Sequence, residues 1–147
     1  LFDRSVSCAS EVEQYNGNMV FEGIIANSKA ALEQGVPVAL GNDVGCPWIT
    51  QYDFWRELRY FEKYVGVSRS FALHTATLRN AQLAGIGDVT GSIEVGKVAD
   101  MIVVDANPLD DLCALRTPKH VIHRGRLIAK PNVKRNAVVD RELDKFL

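Results

Sequence analysis

The sequence is poor in several features that would each point to a particular class of protein. Its 147 residues include three cysteines, Cys8, Cys46 and Cys113, and none of them forms CxxC spacing. Such a sparse, odd set excludes a disulfide framework and favours a reducing compartment, the cytoplasm. The formal net charge of −1 predicts no broad basic face for nucleic acid. The apolar runs are far shorter than the roughly 20 residues that span a bilayer, so we expect no membrane partner.

Histidine is scarce as well, and its scarcity bears on metal chemistry. His74, His120 and His123 are the only histidines, and none belongs to a His-x-His pair. Their spacing is not that of a catalytic zinc site, which normally has three protein ligands. A lone histidine is usually satisfied by local partners, so we interpret all three as structural residues. The chain opens with Leu1 instead of Met and shows no signal-peptide pattern. We therefore expect either a deliberate truncation or a beginning that lies elsewhere, and residues 1–17 show little periodicity.

The composition is nevertheless that of a globular protein, with 47% hydrophobic and 24% charged residues, enough for one domain or two small pieces. Apolar residues at helical spacing predict three helices, over 19–34, 51–65 and 69–83. Asn18 is expected to cap the first of them and Ser68 the last. Gly35 and Gly85 are expected to end these two helices in the left-handed conformation.

A short apolar run, Val36–Gly41, follows the first predicted helix and is bounded by glycines. Such a run is typical of a fully buried parallel strand, so helix and strand together form half of a βα repeat. The strand leads into Asp43, and ligands of α/β folds bind at the carboxyl ends of strands. A carboxylate there is costly unless it meets a metal, a cation or hydrogen-bond donors. The alternative is a turn or cap acid preceding Gly45.

The character of the chain changes from Asp88 onward, where β-branched residues and glycines replace the helical pattern. The patterns predict a strand and turn over Ser92–Lys97, a strand over Met101–Val104, two strands about a glycine turn over Val121–Ile128, and a short helix over 139–146. The break near 86–91 is the predicted boundary. It separates the segment 1–88 from the segment 89–129, and a charged tail, 130–147, follows.

Two stretches resemble one family, the amidohydrolase superfamily. Leu40-Gly41-Asn42-Asp43-Val44-Gly45 resembles the strand-eight motif that contains the metal-site aspartate. Gly91–Asp105 resembles the signature of the small β-domain, and Asn107–Leu112 extends that match. Between them, Ala76–Ala81 is similar to the last barrel helix. The resemblance covers about 18–129 and is nearest to the imidazolonepropionase-like and metal-dependent dipeptidase or carboxypeptidase branch.

This resemblance implies an α/β fold, namely the last strand or strands and helices of a (β/α)₈ barrel plus part of a small β-sandwich. It also implies one or two divalent metals, usually zinc, that activate a water to attack an amide-type bond. Of the family's metal ligands only the strand-eight aspartate maps onto this chain, at Asp43, where it would also take a proton from the attacking water. The chain departs from the motif at Asn42, where threonine is usual, and at Cys46.

The first hypothesis is therefore a part of a metal-dependent hydrolase that cleaves C–N bonds in a peptide or cyclic amide. By itself this chain is expected to be inactive and to bind no metal, and to pair with a second copy or with an amino-terminal half. The second hypothesis is a non-catalytic binding or assembly module, or a subunit that completes a barrel in trans. Residues beside or after Asp43 that could contact substrate are Asn42, Cys46, Trp48 and Tyr52, although ordinary packing of an aromatic helix is the alternative. Arg56, Glu57 and Arg59 are interpreted as a solvated helix face.

Overall fold

The computed structural model describes residues 10–147, so Cys8 lies outside the described residues. The elements follow one another in this order: α1 (Glu11–Glu33), α2 (Phe54–Tyr60), a π-helical turn (Phe61–Val65), α3 (Arg69–His74), a second π-helical turn (Thr75–Arg79), α4 (Asn80–Leu83), β1 (Met101–Val103), a 3-10 helix (Leu112–Arg116), β2 (His120–His123), β3 (Arg126–Ile128), α5 (Ala137–Leu143) and a last 3-10 helix (Asp144–Phe146). They form two compact units, one made of the described residues up to 37 together with 135–147, the other of 38–134.

Helix α1 begins eight residues before the predicted start, and Asn18 is not its cap. Ser10 caps it instead, through a capping box in which the Ser10 hydroxyl accepts from the Glu13 N–H at 3.3 Å while the Ser10 N–H donates to the Glu13 carboxylate at 2.8 Å. These reciprocal bonds satisfy amides of the first turn that have no partner within the helix. Asn16 and Gly17 lie inside this helix. The predicted end is confirmed, because Gly35 has φ 72° just beyond the helix.

The predicted strand Val36–Gly41 is wrong, since no strand of the described chain pairs with it. A strand is defined by hydrogen bonds to a neighbour, and an apolar sequence alone does not supply that neighbour. In its place the side-chain amide of Asn80 pairs with the backbone of Leu40, accepting from its N–H at 2.9 Å and donating to its carbonyl at 2.8 Å. This part of the chain is thus held by a helix side chain.

The two predicted helices 51–65 and 69–83 are confirmed with small changes at their ends. The first begins at Phe54, runs through the π-helical turn and ends at Gly66, which has φ 88°. The second is capped as predicted, because the Ser68 hydroxyl accepts from the Phe71 N–H at 3.2 Å. It also runs through a π-helical turn and ends before Gly85, which has φ 72°.

The core of the 38–134 unit lies on these helices and on the loop that follows them. Its buried apolar side chains are Trp55, Leu58, Phe61, Ala72, Ala81 and Leu112. The 3-10 helix that carries Leu112 lies against α2. The guanidinium groups of Arg56 and Arg116 lie 4.7 and 5.5 Å from the Trp55 ring centroid, a distance at which a cation is attracted to an aromatic face.

The strands form one antiparallel sheet in the order β1-β2-β3, with Met101 opposite Ile122 and Val121 opposite Ile128. The strands predicted over Met101–Val104 and Val121–Ile128 are therefore confirmed, with a glycine turn at Gly125. The predicted strand within Ser92–Lys97 is wrong, because this segment forms only turns. The Lys97 ammonium there donates to the Gly87 carbonyl at 2.7 Å and to the Ser92 hydroxyl at 2.6 Å.

The fold is thus a mixed α/β arrangement, and residues 10–147 form no closed barrel. The short helix predicted over 139–146 is confirmed by α5 and the 3-10 helix after it. The division into 1–88, 89–129 and 130–147 stays a prediction. Within the described part of the chain, no helix is both long enough and apolar enough to cross a membrane.

Candidate functional site

Asp43 lies in a tightly turned loop between the Leu40 segment and α2. Its own φ is 44°, followed by 111° at Gly45 and 70° at Trp48. The Asp43 carbonyl accepts from the Cys46 N–H at 3.2 Å, and the Cys46 carbonyl accepts from the Ile49 N–H at 3.1 Å. Aspartate tolerates the left-handed conformation better than most residues, whereas tryptophan does so at a cost of roughly 1–3 kcal/mol. Strained backbone of this kind is concentrated at functional sites.

The loop is anchored on its carboxyl side by a buried ion pair at the start of α2. The Arg56 and Asp53 side chains lie 3.2 Å apart and are only 2% and 5% exposed. Asp53 also accepts a hydrogen bond from the Thr50 hydroxyl at 2.7 Å. The expected solvated face over Arg56–Arg59 is therefore wrong at Arg56, since this charge is compensated by a buried carboxylate. Sequence spacing alone did not indicate that burial.

Glu57 is the functional candidate that the sequence did not reveal. Burial, together with the nearby charge of Asp43, raises the pKa of the Glu57 carboxyl from 4.5 to about 7. The structure therefore brings Glu57 into the electrostatic environment of Asp43. Carboxyl groups with a pKa near neutrality are found preferentially at functional sites. Fourteen positions separate the two residues, so no local motif connects them. The fold brings them close enough for the charge of Asp43 to act on Glu57.

The predicted substrate contacts occupy the same loop but differ in exposure. Cys46 and Trp48 are exposed, whereas Asn42 and Tyr52 are half-buried. A shallow groove of about 430 Å³ on the same unit is lined by other residues, namely Glu62, Val67, Ser68, Arg69, Ser70 and Leu109. The substrate-binding role of the four loop residues stays a prediction.

Two of the three histidines have the local partners expected of structural residues. Nδ1 of His120 lies 2.7 Å from the Ala129 carbonyl oxygen, and Nδ1 of His123 lies 3.1 Å from an Asp100 carboxylate oxygen. His74 is exposed on α3. Over the described residues, no group of three or more His, Cys, Asp or Glu side chains could hold a metal ion. Asp43, even together with Glu57, falls short of the three protein ligands of a catalytic zinc, so these residues do not fit a complete metal site.

Comparison with known proteins decides the family. Residues 5–128 match the model of the amidohydrolase family. The chain belongs to the amidohydrolase family. The resemblance of the Asp43 loop and of Gly91–Asp105 is thereby confirmed over nearly the whole chain. Metal dependence is typical of this family, while the described part of the chain supplies no complete metal site.

Solved structures of relatives show where this amidohydrolase chain fits. It superposes on a provisionally assigned prolidase from Bifidobacterium longum with a TM-score of 0.90 and 40% identity, over 97% of this chain and 35% of that one. For a Xaa-Pro dipeptidase with methionine bound in its active site, the TM-score is 0.73 and the identity 31%, over 87% of this chain and 31% of that one. The chain thus spans about a third of either structure.

A curated relative gives the same relation at the sequence level. An imidazolonepropionase from Thermoplasma volcanium is 26% identical over 105 residues, which make up 69% of this chain and 26% of that protein. The branch named by the sequence motifs, imidazolonepropionase and dipeptidase, is therefore represented among the relatives. In each case this amidohydrolase chain corresponds to a minor share of the relative's length.

Proposed function

We propose that this chain is the carboxyl-terminal part of a metal-dependent hydrolase that cleaves amide-type C–N bonds in a small-molecule or peptide substrate. Membership of the amidohydrolase family supports a hydrolase, and the likeness to a Xaa-Pro dipeptidase supports a peptide-like substrate. The observation that carries the proposal is the Asp43 loop. It combines the family's aspartate motif with left-handed backbone and with a second carboxyl group, Glu57, close by.

In this proposal Asp43 would have two tasks in the whole enzyme: its carboxylate would help to hold the metal and would accept a proton from the attacking water. A bound metal would supply the Lewis acidity that makes water a nucleophile at neutral pH. Asn42, Cys46, Trp48 and Tyr52 would contact the substrate from the same loop. Since this chain contributes Asp43 and not the remaining ligands, we propose that it binds no metal and has no activity by itself.

The test uses the full-length protein that contains this chain. Two quantities are measured: its metal content and its rate of hydrolysis of a panel of dipeptides and cyclic amides. Asp43→Ala should lower activity by at least about a hundredfold and reduce the bound metal, because it removes both a ligand and the base. Asp105→Ala removes an exposed carboxylate on the β-domain side and should leave both unchanged. Full activity of Asp43→Ala would refute the proposed role. Stoichiometric zinc on the isolated chain, lost in Asp43→Ala, would refute its dependence on other ligands.

The proposed partner is a second copy of the chain or the amino-terminal half of the enzyme. Its support is the exposed apolar surface of α1, where Val12, Tyr15 and Val20 are 68%, 66% and 62% exposed. Apolar surface of this extent promotes association in water. Light scattering of the isolated chain should show oligomers, and a clean monomer would contradict the prediction. We propose a cytoplasmic location because the sequence has only three cysteines and their spacing does not indicate a disulfide framework.

A second candidate is a non-catalytic assembly module, or a subunit that completes a barrel in trans. It is supported by the absence, among the described residues, of any group of three or more side chains that could hold a metal ion. Mixing the chain with a separate amino-terminal half distinguishes the versions, because metal uptake should be restored only if the two halves complete one barrel. If mixing the two halves restores no metal uptake, the result favours the non-catalytic module.

A further inference from the structure

The side chain of Asn80 is bound to the backbone of Leu40, three residues before Asp43. Its Oδ1 accepts from the Leu40 N–H at 2.9 Å, and its Nδ2 donates to the Leu40 carbonyl at 2.8 Å. One planar amide thus satisfies both backbone groups of a single residue. The two parallel bonds reproduce what an adjacent strand would offer at that position. They connect residues forty positions apart in the sequence.

The π-helical turn Thr75–Arg79 immediately precedes Asn80. Such a turn closes its hydrogen bonds over one more residue than an α-turn, so the side chains after it are rotated about the helix axis. Two threonines in the turn donate to carbonyls one turn earlier, Thr75 to Phe71 at 2.8 Å and Thr77 to Leu73 at 2.7 Å. Side-chain bonds of this kind go together with local distortion of a helix. The orientation of Asn80 therefore depends on the irregular turn that precedes it. π-Helical turns are frequently found at functional sites.

The same helix is also contacted by the loop of the β-domain signature. Gly91 has φ 95°, and a Cβ at this position would lie 2.7 Å from the Ala81 Cβ and 3.0 Å from the Leu78 Cα. Only glycine permits so close an approach of the loop to the helix. The helix that carries Asn80 thus contacts both the signature loop and the segment leading to Asp43.

We propose that Asn80 is a positioning residue for Asp43. By fixing the peptide of Leu40, it determines where the following loop begins and hence where the Asp43 carboxylate lies. This inference rests on the proposed role of Asp43 and adds a residue that contacts neither metal nor substrate. Outer residues that orient a metal-binding or basic group typically contribute about 10- to 100-fold in activity or metal affinity.

The test compares Asn80→Ala with Asn80→Asp in the full-length protein. Alanine removes both hydrogen bonds, whereas aspartate keeps an acceptor for the Leu40 N–H and loses the donor to its carbonyl. We expect kcat to fall about 10- to 100-fold in Asn80→Ala with KM within about twofold, and less in Asn80→Asp. Amide hydrogen exchange at Leu40 should be faster in Asn80→Ala, while Asn80→Asp should retain most of the protection.

The control variants are Asn132→Asp, which introduces the same charge at an exposed asparagine of the same unit, and Gln82→Ala, which truncates an exposed amide on α4. Both should retain the kcat of the unmodified protein. If Asn80→Ala does not fold, Asn80→Asp decides, because it can form one of the two bonds. A variant with faster Leu40 exchange but an unchanged kcat per folded molecule would overturn the inference, since Asn80 would then be purely structural.

Asp43→Ala, measured in the same series, separates the two proposals. If Asp43→Ala is inactive and Asn80→Ala fully active, the positioning role of Asn80 is refuted and the proposed function stands. If Asp43→Ala is itself fully active, the proposed function is refuted, and with it any positioning role for Asn80 that acts through Asp43.

Discussion

Helix α1 and the helical pair over 54–83 have similar apolar periodicity and opposite surroundings. None of the 23 residues of α1 is buried, and Met19 and Ile24 are 52% and 57% exposed. In the helical pair, Leu58 is 3% exposed and Ala72 fully buried. An amphipathic pattern therefore shows which face of a helix is meant to be covered, not whether the same chain provides the cover. The chain spans about a third of the length of the two solved relatives.

The two regions should consequently differ in what stabilises them. A helix without buried side chains depends on local features, of which the Ser10 capping box is the clearest in α1. The helical pair depends on burial and on the Asp53–Arg56 ion pair. Matched substitutions in the two regions test this contrast. They are given in order of decreasing expected effect.

The buried ion pair should give the largest effect. Asp53→Asn leaves the Arg56 guanidinium buried without its carboxylate and should lower the free energy of unfolding by about 3–5 kcal/mol. The matched control, Asp105→Asn, breaks an exposed pair with Lys119 at 2.7 Å and should cost about 0–1 kcal/mol. Urea denaturation monitored by circular dichroism measures both. Equal effects would show that burial does not distinguish these pairs.

Truncation of apolar side chains compares the regions directly. Leu58→Ala should lower the free energy of unfolding by about 2–5 kcal/mol, because it leaves a cavity in the core. Ile24→Ala in α1 should change it by less than about 0.5 kcal/mol, since the isoleucine is largely exposed and alanine favours a helix. A loss from Ile24→Ala as large as that from Leu58→Ala would mean that the α1 face is covered in solution.

The raised pKa of Glu57 predicts that stability decreases as pH rises toward neutrality. The unfolded chain releases this proton near pH 4.5 and the folded chain near pH 7, so stability falls between these values as pH rises. Above pH 7 the penalty is complete, about 2 kcal/mol after a discount for solvent at this half-buried carboxyl. Glu57→Gln should therefore be more stable than the unmodified chain above pH 7 and equally stable below pH 4.5.

The control for this measurement is Glu22→Gln, which neutralises an exposed carboxylate in the middle of α1. Thermal unfolding at a series of pH values between 4 and 8 should give parallel curves for Glu22→Gln and the unmodified chain. Parallel curves for Glu57→Gln as well would show that the folded chain does not raise the pKa of Glu57.

The smallest expected difference concerns the helix caps. Ser68→Ala should lower the free energy of unfolding by about 1 kcal/mol, because the Ser68 hydroxyl caps a helix that carries core residues. Ser10→Ala should instead fray the first turn of α1 with little change in global stability. Hydrogen exchange of the Glu13 amide reports the fraying, and denaturation reports the global change. A global loss from Ser10→Ala equal to that from Ser68→Ala would remove the contrast between the regions.

A local signal predicts the structure when a cap residue and a clear helical period occur together. Ser68 followed by a helical period predicted a cap and a helix, and both are present. The capping box at Ser10 and Glu13 is equally visible in the sequence, but the weak periodicity over 11–17 concealed it. The strand at Val36–Gly41 could not be verified locally, because its hydrogen-bonding partners would have to come from other parts of a sheet.

Short-range features of the sequence were sufficient for the family, for the helices after residue 51 with the Ser68 cap, and for the place of Asp43 in the chain, because motifs and helical periods are local. The burial of Arg56, the environment of Glu57 and the pairing of Asn80 with Leu40 required the tertiary structure, since each depends on residues far apart or on packing density. For Asp43, the sequence named the residue, and the fold showed the surroundings of its loop.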